Sequence, residues 1–294
     1  MRLDWGWLHP VMRVPYVPTL GAVHPHTLGP DLFQQVWDVS GTGRFLAHDR
    51  DARWFPAKDE HVLTDAVVHD PNATLVPALS RRGKGTVKVC CYGDARNHRH
   101  AARLAGDLAQ ALGAGKAQVV WFHGAQDIPA TGSGATRVQL REFGPGIPAP
   151  DHDTVQVYTE LPAPLRDSFA PFADKLSEEG FAFLHQQMQA QRVGPVLVRI
   201  HEDRVVGAIG PMETMPDSQG TLQLLPQYFG VLPDQRGHGH GRQLWRAAMH
   251  WGHTHAAHYQ LLRTEVGGAS DRLCQAEGLT SLGFVCTVDA ASML

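Results

Sequence analysis

Cysteine is scarce in this sequence: Cys90, Cys91, Cys274 and Cys286 are the only thiols in 294 residues. Their spacing matches neither a paired metal site nor the dense framework of a secreted disulfide scaffold, so reduced thiols in a cytosol are expected. Charge is thin and nearly balanced, with 26 basic against 29 acidic side chains and a formal net charge of -3. No global field draws such a chain to nucleic acid or to an anionic membrane, and any anion site has to be local. Long apolar runs are missing too: none reaches the roughly 20 residues that a spanning helix needs. The amino-terminal stretch MRLDWGWLHP, interrupted by Asp4 and Pro10, lacks an apolar core of signal-peptide length. A cytoplasmic protein with no membrane partner is expected.

What is present fits two modest domains. The 43% hydrophobic and 19% charged content is ordinary for a packed globular chain, and the length exceeds what a single average core fills. Between Phe143 and Asp153 the segment FGPGIPAPDHD holds three prolines and two glycines, which neither continue a helix nor pair inside a sheet. It divides the chain into domains of 1–145 and 152–294. In the second, Leu165, Phe169, Phe172 and Leu176 recur at helical spacing over 162–176, and a further helix is expected over 181–191. Two Val- and Ile-rich runs in 195–210 flank the polar turn His201-Glu202-Asp203 and read as a hairpin. A strand over 221–231 ends at Pro233, and a glycine turn leads into a helix with Leu244, Ala247, Ala248 and Trp251 on one face. A strand over 259–266, a short helix over 270–277 and a strand over 284–288 complete an α/β order with a mixed, mostly antiparallel sheet.

The glycine turn carries the chemistry. VLPDQRGHGHGRQL places Arg236, Gly239 and Gly241 in the pattern R-x-x-G-x-G between a strand and a helix. Glycines let the main chain bend until its amides face an anion, and a helix start adds unpaired donors and partial positive charge. The pattern is not the G-x-G-x-x-G of a dinucleotide turn, and it lacks the Lys-Ser or Lys-Thr ending of a nucleotide phosphate loop. In this setting it resembles the pyrophosphate-binding turn of the GNAT superfamily of acyl-coenzyme A dependent N-acyltransferases. The resemblance implies acetyl-CoA or another acyl-CoA as co-substrate, held by Val231, Leu232, Arg236, Gly237, His238, Gly239, His240, Gly241 and Arg242. It implies further that the fourth and fifth strands splay, and that amides near Gly230 to Leu232 stabilise the oxygen of the thioester carbonyl as charge develops on it. Attack is then direct, with a base taking a proton from the ammonium and an acid serving the departing thiolate.

The sequence departs from the family pattern where that acid usually sits. Leu279 stands four residues before Gly283-Phe284 in place of a tyrosine, and Arg272 in place of an asparagine. Candidates for proton transfer are instead Tyr228, Glu265 and Cys274, with Glu277 beside them; each also reads as a core, surface or strand-end residue.

A faded copy of the motif lies 140 residues upstream. GDARNHRHAARL, Gly93 to Leu104, sits between two strand-like runs and aligns Asp94, Arg96, His98, His100 and Leu104 with Asp234, Arg236, His238, His240 and Leu244. Arg99 replaces the counterpart of Gly239 and Ala101 that of Gly241, so the first domain is read as a degenerate GNAT-like copy. Its upstream cluster of Arg81, Arg82, Lys84 and Lys88 is either a solvated basic surface or a residual anion site. The four histidines His250, His253, His255 and His258 have the spacing of a helix face but no accompanying metal pattern, and no metal is expected. His238 and His240 are expected beside the phosphates, where a raised charge fraction would help.

Three functions remain open at this stage. The first is acyl transfer from a short acyl-CoA to an amine of a small molecule, in antibiotic or other secondary metabolism. The second keeps the fold but takes an aminoacyl group from transfer RNA, and the third is a binding or regulatory protein with both sites decayed. The acceptor, the acyl length and the oligomeric state are not written in the sequence.

Overall fold

A computed structural model describes residues 4–144 and 155–294. The chain divides into two compact units, one of Met1–Arg141 with Leu261–Leu294 and the other of Glu142–Gln260. Apart from Phe143 and Gly144, the expected interdomain stretch lies outside the described residues.

In the first unit, helix α1 (Pro30–Asp38) precedes strands β1 (Ala73–Ser80) and β2 (Thr86–Gly93), helix α2 (His98–Leu112), and strands β3 (Lys116–His123) and β4 (Ala135–Glu142). β1 and β2 pair antiparallel, while β2 and β3 pair parallel from Thr86↔Lys116 to Cys91↔Trp121. The crossover between the parallel strands is α2, which buries Ala101, Ala102, Ala105 and Ala109. Those small side chains let the helix close on Val87, Val89, Cys91 and Val119 of the sheet. Gly113, in the left-handed region at φ 66°, ends the helix.

The second unit opens with β5 (Val155–Val157) and a short helix over Ala163–Asp167, followed by α3 (Phe169–Lys175) and α4 (Phe181–Gln189). The single helix expected over 162–176 is broken at Ser168, because Pro171 has no amide to donate and is tolerated only in a first turn. Ser168 uses the break: its Oγ donates to the Leu165 carbonyl and accepts from the Val205 amide at 2.9 Å. Strands β6 (Leu197–His201) and β7 (Arg204–Gly210) form the expected hairpin, turned by Glu202 and Asp203 at φ 49° and 55°, the backbone of a two-residue reversal. Phe169, Phe172, Phe181 and Leu184 pack on Val198, Val206 and Ala208 of this sheet as its core. Short strands β8 (Thr214–Pro216) and β9 (Leu222–Leu224) pair antiparallel, and β10 (Tyr228–Val231) joins β7, giving the order β10-β7-β6-β5. Helix α5 (His240–Thr254) follows, then β11 (Tyr259–Glu265), whose first residues pair parallel with β9.

Within β11 the chain passes back to the first unit. Helix α6 (Ala269–Ala276) leads to β12 (Thr280–Asp289), which seats between β3 and β4 and pairs antiparallel with both. Contiguous domains of 1–145 and 152–294 therefore do not describe the packing, since the last strand completes the sheet begun by residues 73–142. A buried polar cluster fixes the returning segment. The Asp271 carboxylate, 4% exposed, accepts from Arg137 Nε at 2.8 Å and from the Gly267 amide at 3.0 Å, while Gln139 donates to it at 3.2 Å.

Those partners hold the Asp271 carboxyl below the usual carboxylate value, against a burial effect that acts the other way. Its stabilisation is present above the unfolded-state value of about 3.9 and is lost as pH falls through the lower folded value. Asp271→Ala leaves the Arg137 guanidinium buried without its counter-ion and is expected to cost about 3–5 kcal/mol in urea unfolding at pH 7. A loss under 1 kcal/mol would show that the pair does not hold the segment in place.

Candidate functional site

The strand expected over 221–231 is two strands with a fork between them. β9 runs beside β11, with Gln223↔Tyr259 and Leu224↔Gln260 in register, and then Leu225-Pro226-Gln227 carries the chain away to β10 on the other sheet. Pro226 cannot supply a ladder amide, so pairing cannot run through it. Gln260 occupies the crotch with no exposed surface; its Nε2 donates to Gln227 Oε1 at 2.8 Å and lies 3.5 Å from the Leu225 carbonyl. Tyr259 pins the other branch, donating its hydroxyl to Asp217 at 2.9 Å in the β8–β9 turn. The splay implied by the resemblance thus has a local cause.

β10 is an edge strand, and its register decides which amides are free. The Leu232 amide donates to the Val206 carbonyl at 2.9 Å. By the alternation of an antiparallel ladder Gly230 also faces β7, whereas Val231 faces the open side. Of the three amides expected near the thioester carbonyl, only that of Val231 is presented. The Val231 carbonyl on the same edge accepts from Arg236 Nε at 3.0 Å, and the other arm of that guanidinium meets Glu179 at 3.0 Å. Arg236 therefore clasps the end of β10 to the turn through its side chain.

The turn itself is open. Gly237 and Gly239 sit at φ 86° and 82°, and a Cβ built on either meets nothing within 4 Å. Both the left-handed backbone and the free space favour glycine there. Gly239 caps the 15-residue helix α5, whose first amides have no side-chain cap. His238 and Arg242 are exposed beside it. His240 is not: its ring is buried below the turn, with Nδ1 3.3 Å from Arg199 Nε and His201 and His238 nearby. Burial first, and then the Arg199 charge, lower its pKa. This corrects the expected raised charge fraction: His240 contributes its backbone position and a neutral ring.

Tyr228, Glu265 and Cys274 fall in different places. Tyr228, half-buried on β10, packs so closely on Gly180 that a Cβ there would lie 2.4 Å from its ring, with Phe181 and Phe183 around it. Glu265 is exposed at the end of β11, in the first unit. Cys274 is buried in α6, and burial, aided by Asp271 and Glu277, pushes its thiol up to about 12. A thiol so held is a packing group at neutral pH. Glu277, half-buried, follows α6, and the Leu279 and Arg272 positions hold a buried apolar side chain and an exposed guanidinium bonded to the Gly267 carbonyl.

The copy in the first unit has lost this geometry in its backbone. β2 and β3 stay paired through Cys91↔Trp121, so the first half has no counterpart of the splay in the second. α2 starts at His98, two residues before the counterpart of His240, and no residue of 94–112 has positive φ. Arg99, the counterpart of Gly239, lies exposed on the helix. His98 packs on Trp121 at 4.8 Å, and burial lowers its pKa. The basic cluster lies at the other end of β2; Arg82 Nε binds both Asp59 oxygens at 2.9–3.0 Å and Lys88 pairs with Glu60 at 3.1 Å. Among the described residues no group of histidines, cysteines and carboxylates could hold a metal, and no helix is long and apolar enough to cross a membrane.

Residues 159–274 match the family model described as acetyltransferase (GNAT) family. No curated protein matches the chain in sequence. Many solved structures resemble it, among them the three that follow. A GCN5-related N-acetyltransferase from Sphaerobacter thermophilus is 13% identical, with 87% of this chain and 93% of that one covered at a TM-score of 0.48. A tandem GNAT protein from the clavulanic acid biosynthesis pathway is 14% identical, covering 74% and 79% at 0.43. A GNAT-family acetyltransferase from Colwellia psychrerythraea is 11% identical, covering 73% and 80% at 0.45. The family match is confined to residues 159–274, which are similar to the GNAT family of acetyltransferases, a family that carries out acyl transfer from acyl-CoA.

Gln260, Glu179 and Arg199 were not singled out from the sequence. None has a motif or a spacing; each matters only through a partner far away in the chain.

Because the folded-state value of His240 lies below its unfolded value of about 6.5, the unfolded chain takes up a proton that the native state resists, and stability falls as pH drops below 6.5. His240→Gln keeps an acceptor for Arg199 without that proton. Its melting temperature is expected to fall less than the wild type's between pH 7.5 and 5.5, and equal falls in thermal scans would contradict the buried, neutral ring.

Proposed function

We propose that this protein is an acyl-CoA dependent N-acyltransferase that passes an acetyl or other short acyl group to an amine of a small molecule. The observation that carries the reading is the open turn at Gly237 and Gly239, set at the start of a long helix and just beyond a pair of parted strands. A diphosphate needs several amides converging on open space, and the residues present fit that need. In this reading the amides of 237–242 hold the diphosphate, and Arg242 and His238 line its rim. Arg236 acts through its clasp on Val231, which keeps the Val231 amide aimed at the open edge, where a developing oxyanion gains most from a fixed donor. Acyl-CoA supplies the activated thioester; the chain orients it and keeps water off its carbonyl.

Proton transfer is assigned to Tyr228, in the same unit as the turn, ahead of Cys274, whose thiol is buried and held protonated. An aminoacyl-tRNA donor gains no support from the basic cluster, because Arg82 and Lys88 are already paired with Asp59 and Glu60.

Coenzyme A at submillimolar concentration is expected to raise the melting temperature, since a ligand that binds only the native state stabilises it. Gly239→Arg should abolish that rise with the circular dichroism spectrum unchanged. The side chain enters open space but forces φ 82° on a residue that disfavours it. Retained affinity in that variant would remove the turn from the mechanism, and a rise produced by charged transfer RNA alone would replace the donor. Cys274→Ala is expected to leave the rate within about twofold, and a hundredfold loss without loss of fold would return Cys274 to the chemistry.

A further inference from the structure

The first unit, whose own turn no longer bends to cradle a diphosphate, holds a groove of about 540 Å³ that the acyl-transfer reading does not use. Two segments build it: Asp4 to Trp7, and the first two turns of α1 with the Pro30 that starts it. Its floor is Phe33, 3% exposed, with the Trp5 ring 5.5 Å away, and the half-buried indoles of Trp7 and Trp37 also line it. Trp7 is stacked on His69 at 4.4 Å. Three of the seven tryptophans of the chain line it. The only charged side chains of the lining are two carboxylates, Asp4 and Asp31. Asp4 caps the single helical turn Trp5–Leu8 by accepting from the Gly6 amide at 2.8 Å, and Asp31 lies in the first turn of α1. Neither forms an ion pair with a described residue.

The geometry points to a binding site for a small alkylated ammonium ion. Aromatic faces carry negative quadrupole charge and attract a cation held over them, and two carboxylates at the rim add to that potential. The two carboxylates disfavour an anion there. A bare ammonium loses more hydration than the rings return, whereas N-methyl groups shed little water and pack on indole. The groove is of the size that encloses a small ligand. It has no sheet edge to pair with an extended peptide, so the occupant is a free small molecule. This inference does not depend on acyl transfer.

Calorimetric titration of the full-length protein tests it with choline, tetramethylammonium and the neutral choline isostere 3,3-dimethyl-1-butanol. Both cations are expected to bind saturably, and the isostere at least about tenfold more weakly, in keeping with the value of a desolvated cation over aromatic rings. Asp31→Asn should weaken choline about fivefold or more, and Trp37→Ala should abolish its binding. Neither variant should alter the thermal response to coenzyme A, which reports whether they fold. Equal binding of the isostere, undiminished choline binding in Asp31→Asn, or no saturation by either cation at tens of millimolar would overturn the assignment. A missing coenzyme A response with intact choline binding would count against the acyl-transfer reading alone.

Discussion

The second unit depends on one refusal to pair. β9 and β11 run side by side, and at Leu225-Pro226-Gln227 the ladder stops because proline has no amide to give. A stopped ladder inside a fold would normally leave polar groups without partners, at a cost of about 1–3 kcal/mol each. The Gln260 side chain stands in for the missing strand by donating to Gln227 and approaching the Leu225 carbonyl. The consequence is an edge strand, β10, with the Val231 amide turned outward, and the same edge leads directly into the glycine turn. Fork, edge and turn form one device: repair of the ladder would return Val231 to a partner and remove the exposed donor.

The first unit is what a related plan looks like when the ladder is left whole. β2 and β3 pair to Cys91↔Trp121, α2 begins two residues early, and His98 rests against Trp121 where an open slot would have been. The contrast between the halves lies in backbone conformation before it lies in side chains. Arg99 illustrates this, since it is harmless in the position it occupies and informative only because it is not glycine. A non-glycine residue favours right-handed backbone, and once it takes that conformation the helix extends through the former turn.

This difference also explains what the sequence disclosed. The turn and its helix were legible because left-handed backbone leaves a compositional trace in glycine, and because α5 and the β6–β7 hairpin carry strong periodicity. The break at Ser168 and the fork at Pro226 were signalled by single prolines inside otherwise regular runs, a signal outweighed by the hydrophobic pattern on either side. Gln260 and the Glu179 partner of Arg236 left no trace, since a buried amide and a surface carboxylate are common and their meaning lies in distant partners. The buried environment of His240 was not legible either, because spacing fixes where a backbone atom lies but not which way the ring turns. The path of β12 was equally hidden: its apolar alternation fits any sheet with room for a strand.

That path shapes how the chain can be assembled. β12 fills the place between β3 and β4, so the sheet of the first unit has a gap until the final segment arrives from beyond the whole of the second unit. During synthesis β3 and β4 must wait as unzipped neighbours with bare edges while the intervening residues fold, a state that invites pairing with another copy. Neither half is therefore a cassette that can be cut out at one junction. The first unit is thus discontinuous in the chain and is closed only by its last strand.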